Sequence, residues 1–107
     1  MDTSYNNRVT VVKTQDFIVD AEIGFERIAE TLGELIFVFQ KKYTFIDPGE
    51  IIMSDRMFWA FDKERMERGE FINYARQSFR GIKITVDPYI KRKSVILKKE
   101  EYVKLYH

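Results

Sequence analysis

The sequence predicts an α+β fold: one small domain in which a mixed, mostly antiparallel sheet packs against two or three helices. Three observations carry this expectation. At 107 residues the chain fits one domain and leaves no room for a second with its own core. Hydrophobic residues make up 45% and aromatic residues 15%, enough to build a core and unlike the composition of disordered chains. Helical and strand-like patterns follow one another without the regular βαβ alternation of a wound α/β sheet.

Met1 to Asn7 lacks a basic start and an apolar run, so it is expected to be a flexible N-terminus and not a secretory signal. Val9-Thr10-Val11-Val12 and Phe17-Ile18-Val19 flank a polar break and predict two short strands, which can form one hairpin. Asp20 suits a helix N-cap, with Glu22 and Glu26 in the first turns where the helix dipole favours acids. Phe25, Ile28, Ala29 and Leu32 follow at helical spacing, and Gly33 can close that helix.

Leu35-Ile36-Phe37-Val38-Phe39 reads two ways. A continuous apolar run suits a buried strand, yet Leu35, Ile36, Phe39 and Tyr43 also continue the helical stripe through Gly33. A mid-helix glycine costs about 1 kcal/mol relative to alanine, so helix, glycine, strand is the favoured order. Asp47-Pro48-Gly49 marks a turn, and Ile51-Ile52-Met53 is a short apolar run. Ser54 is a good N-cap for a helix carrying Met57, Phe58, Trp59, Phe61 and Met66. Gly69 interrupts that pattern, and Phe71, Ile72, Tyr74, Ala75 and Phe79 resume it, as one kinked helix or two short ones. Ile82-Lys83-Ile84-Thr85-Val86 alternates as a half-buried strand does. Asp87-Pro88 turns the chain, Lys91-Arg92-Lys93 is expected at a hairpin tip, and Ser94-Val95-Ile96-Leu97 returns as a strand. The tail from Lys98 to His107 can add a last helical turn or two.

Composition removes several functional classes. The chain has no cysteine, so disulfides, thiolate metal sites and cysteine nucleophiles are excluded, and a cytoplasmic location is expected. No apolar stretch is longer than Leu35 to Phe39, far below the ~20 residues of a spanning helix, so no membrane insertion is expected. The glycines are isolated and none precedes a Lys-Ser/Thr pair, so no phosphate cradle is present. The single histidine is His107, the last residue, where no second group can readily orient it as a general base. The carboxylates make no recognisable metal cluster. No enzyme activity, cofactor or metal is expected.

Charge is balanced overall at +1 but unevenly spread: residues 14–50 carry a balance of −5 and residues 91–107 a balance of +4. The two regions can attract each other, be solvated, or steer an oppositely charged partner. Arg56, Phe58 and Trp59 are candidate partner-binding residues, because the aromatics of that helix cover more than one face and exposed Trp and Phe make strong anchors. The alternative is a helix whose aromatics are all buried. Lys91, Arg92 and Lys93, near Tyr89, Tyr102 and Tyr106, are candidates for a nucleic acid as well as for a protein partner. The nearly neutral balance argues against a dedicated nucleic-acid binder, and the basic run also suits a device that discourages sheet aggregation.

Residues 51–97 carry one resemblance. Ile-Ile-Met-Ser at 51–54, an aromatic helix, Phe79-Arg80-Gly81-Ile82-Lys83-Ile84-Thr85-Val86-Asp87-Pro88 and a strand at 94–97 resemble segments of small tailed-bacteriophage proteins and phage capsid-type proteins. Asp55 stands where a proline is more usual. The resemblance transfers no functional residue. It implies a viral source and action in the host cytoplasm by binding a host protein, as inhibitor or adaptor, with a self-associating virion component as the alternative.

Overall fold

The computed structural model describes residues 4–5, 9–15, 17–69 and 77–99. They form β1 (Ser4–Tyr5), β2 (Val9–Gln15), β3 (Ile18–Ile23), α1 (Ile28–Lys42), β4 (Glu50–Met53), α2 (Asp55–Glu67), β5 (Ser78–Phe79), β6 (Ile82–Val86) and β7 (Ser94–Lys98). The strands make one sheet in the order β1-β2-β3-β7-β4-β6-β5. Only β4 and β6 run parallel; every other neighbouring pair is antiparallel. The fold is therefore α+β, and no described helix is long and apolar enough to cross a membrane.

Strand alternation and register build the core. Val19, Leu97, Ile51 and Ile84 stand side by side across β3, β7, β4 and β6, and Ala21, Val95 and Met53 form the next row. All seven are buried. Ile28, Leu32, Leu35, Ile36 and Phe39 of α1, with Met57 and Phe61 of α2, close over these rows in a single cluster. Both helices thus cover one face of the sheet with stripes at 3.6-residue spacing.

Several expectations need correction. Asp20 does not cap a helix; it lies in β3, and α1 begins at Ile28 behind Arg27, whose φ of 53° is left-handed. Arg27 supplies no side-chain cap. Glu64 of α2 does so from across the fold, its two carboxylate oxygens accepting from Ile28 N at 2.8 Å and Ala29 N at 3.0 Å. A carboxylate at this end also complements the helix dipole.

Residues 35–39 are helix, not strand, because α1 runs through Gly33. A Cβ at that position would stand 3.0 Å from Arg80 Nη2, so the glycine makes room for a guanidinium lying on the helix. Lys91, Arg92 and Lys93 do not form a hairpin tip. They lie in the connection from β6 to β7, which are not neighbours, since β4 sits between them. Phe79 belongs to β5 and not to a helix; the rest of the expected helical resumption, residues 71–76, lies outside the described residues, as does the tail from 100 onward. Within the expected flexible start, Ser4–Tyr5 pairs with β2.

Ser54 caps α2 as its sequence position suggests, its Oγ accepting from Met57 N at 3.0 Å. The same hydroxyl donates to the carbonyl oxygen of Arg92 at 2.6 Å, which ties the 91–93 segment to the start of α2.

Candidate functional site

The helical period sorts the side chains of α2 between two faces. Met57, Phe61 and Arg65, each four residues apart, point into the fold and are buried. Trp59 and Met66 point outward and are 57% and 66% exposed. Together with Lys63 they line a shallow concavity of about 410 Å³, edged by Asp62 and Glu67. An exposed tryptophan is the residue type most often found as an anchor at protein interfaces.

Cations hold the aromatic rings of this surface. The Arg56 guanidinium lies 5.4 Å from the ring centre of Trp59 and 5.4 Å from that of Phe25. Lys63 Nζ stands 5.5 Å from the Trp59 ring, and Lys93 Nζ 5.9 Å from the Phe25 ring. Lys93, Phe25, Arg56, Trp59 and Lys63 therefore form one continuous row. Each exposed contact of this kind contributes about 0.5–1 kcal/mol, and Trp59 makes two of them before any partner arrives.

Hydrogen bonds to the backbone fix the Lys93 end of the row. The amide of Ile23 donates to Lys93 O at 3.0 Å and that of Ser94 to Lys91 O at 3.0 Å, while Ser54 holds Arg92 O. The end of β3 thereby fixes the 91–93 segment and carries Phe25 in the bend that follows. Among the described residues, Arg56, Lys63, Lys91, Arg92 and Lys93 form no ion pair. Their charge is available to a ligand.

Of the six residues singled out from sequence, Arg56, Trp59 and Lys93 come together in the row. Lys91 and Arg92 are exposed beside it, with backbone carbonyls engaged as described. Phe58 does not belong to this surface: it is half-buried and packs against the core cluster. Lys63, Met66 and Phe25 complete the surface and were not among the candidates. Lys63 and Met66 were legible as the i+4 and i+7 neighbours of Trp59. Phe25 was not, because its place depends on α1 starting later than expected.

Among the described residues no three His, Cys, Asp or Glu side chains lie close enough together to hold a metal ion. None of the protein-family models, curated proteins and solved structures compared with the chain matches it.

Proposed function

We propose that this chain is a non-enzymatic protein-binding module whose docking face is the exposed side of α2 with the adjoining 91–93 segment. The observation that carries the reading is the exposure of Trp59 and Met66 on one helical face, with Arg56 and Lys63 over the Trp59 ring. An anchor held in place before binding loses less side-chain entropy on association. The surrounding unpaired cations select a partner with an apolar patch rimmed by acidic groups. A protein is favoured over a nucleic acid because the chain is nearly neutral, at +1, whereas a dedicated nucleic-acid binder carries a strongly basic balance. The phage-like order of features in residues 51–97 makes a host protein, met in the host cytoplasm and inhibited or redirected there, the first partner to test.

Trp59 is the only tryptophan, so its fluorescence reports on this face alone. Tagged wild-type chain and Trp59→Ala are used for capture from bacterial lysate with and without nuclease, and the captured protein is titrated back against the purified chain. The expected result is one stoichiometric protein that survives nuclease, blue-shifts Trp59 emission on titration and is lost from the Trp59→Ala sample. Equal capture by Trp59→Ala refutes the docking face. Recovery of only nuclease-sensitive material points to nucleic acid, and recovery of only the chain itself to an assembly component.

A further inference from the structure

A second cleft, of about 230 Å³, lies between α1 and the turn that joins β5 to β6. Ile36 and Ile82 supply its apolar lining, and Phe37, 52% exposed, stands at its side. Arg80, at φ 53°, and Gly81, at φ 79°, form the turn. Glycine tolerates that left-handed backbone without strain, which lets two short strands reverse here. The Arg80 side chain rests against α1. Its Nη2 lies 3.0 Å from where a Cβ on residue 33 would stand, and its guanidinium carbon lies 5.1 Å from the Phe79 ring centre.

Gly33 therefore weakens the interior of α1 at the one position where any side chain would displace this guanidinium. Yet Arg80 makes no ion pair or hydrogen bond with a described residue. The same cleft holds a carboxylate, that of Asp47, which accepts from Gln40 Nε2 at 2.5 Å and has no cationic partner. A cation and an anion thus share one cleft without pairing to each other, Asp47 held by Gln40 and Arg80 an exposed side chain resting against α1. A ligand bearing only a negative charge would be repelled by Asp47, and one bearing only a positive charge by Arg80. A ligand bearing both satisfies both.

We propose that this cleft binds a small zwitterion with an apolar body, its carboxylate on Arg80 and its ammonium group on Asp47. A free apolar α-amino acid is the simplest such ligand. Arginine suits the carboxylate because its fork can donate two parallel hydrogen bonds. The volume lies below the usual ~300–1,000 Å³ of sites for drug-sized ligands, which matches a ligand of amino-acid size. This site is separate from the α2 docking face and does not depend on it.

The test is a titration of the isotope-labelled full chain, followed through the backbone amides of Gly33 and Gly81. The probes are leucine, 4-methylpentanoate (leucine without its ammonium group) and 3-methylbutylamine (leucine without its carboxylate). Leucine is expected to give saturable shifts, and each single-charge analogue to bind at least about tenfold more weakly. Arg80→Ala, retaining the wild-type circular dichroism spectrum, is expected to lose leucine binding by a similar factor. Trp59→Ala is the control, and its leucine affinity is expected to equal that of wild type. Absence of saturable shifts with leucine overturns the proposal. So does unchanged affinity in Arg80→Ala, or 4-methylpentanoate binding as tightly as leucine.

Discussion

Replacing Gly33 by alanine tests whether this residue serves the helix or the arginine beside it. In the interior of α1 the substitution gains about 0.8–1.0 kcal/mol of helix propensity. Against this stands the approach of the new Cβ to Arg80, at 3.0 Å from Nη2 and 3.3 Å from Cζ and Nη1. These are the far atoms of an exposed, flexible side chain, so the guanidinium can retreat by a few tenths of an ångström without moving backbone. The most it forfeits is its contact with the Phe79 ring, worth about 0.5–1 kcal/mol at an exposed site. The net change therefore lies between zero and a gain of about 1 kcal/mol, the upper limit corresponding to a rise in Tm of about 4 °C. Urea unfolding followed by far-ultraviolet circular dichroism measures it, with an unchanged m-value expected. Trp59 fluorescence is the poorer probe, because the indole is already exposed in the native fold. A loss of more than about 1 kcal/mol would refute the reasoning, since it would mean that α1 cannot accept a Cβ here even when Arg80 moves aside.

Three further predictions concern what holds the fold behind the two clefts. Glu64→Ala removes both acceptors at the start of α1 and is expected to cost about 2 kcal/mol in denaturant unfolding, with Glu64→Gln recovering part of it; a cost below about 0.5 kcal/mol would mean that water caps α1 equally well. Ser54→Ala loses the α2 cap and the tie to Arg92, so it is expected to cost about 1 kcal/mol and to speed hydrogen exchange at Ser94, whose amide closes the 91–93 turn; wild-type stability in this variant would contradict the capping role. Phe61→Ala empties a fully buried site shared with Met57 and Phe79 and is expected to cost about 3–5 kcal/mol, a large part of the stability of a domain this size; a calorimetric Tm close to wild type would place Phe61 outside the core.

The parts of the fold that local chemistry decides were legible. The β2–β3 hairpin, the alternation in β6 and the Ser54 cap each depend on residues within a few positions of one another. Two kinds of feature were not. A continuous apolar run such as residues 35–39 has the same composition in a buried helix and in a buried strand. The choice turned on Gly33, whose neighbour in space is Arg80, 47 positions further along the chain. Likewise the start of α1 could not be placed from its own residues, because its cap is the carboxylate of Glu64 on the other helix.

The candidate site divides in the same way. By itself the sequence determined that Trp59 and Arg56 share the start of one helix and that three cations sit at 91–93. It also showed that Met57, Phe58, Trp59 and Phe61 cover more than one helical face, and left open whether all of them are buried. Only the tertiary structure decided that Phe58 turns inward while Trp59 stays out, because the core accepts one face of α2 and the sheet fixes which. Tertiary structure also decided that β4 lies between β6 and β7, which carries the 91–93 segment to the start of α2 and brings Lys93, Phe25 and Arg56 into one row. The physical reason is the range of the forces concerned. Caps, turns and periodicity act between neighbours in the chain, whereas burial and charge act between neighbours in space.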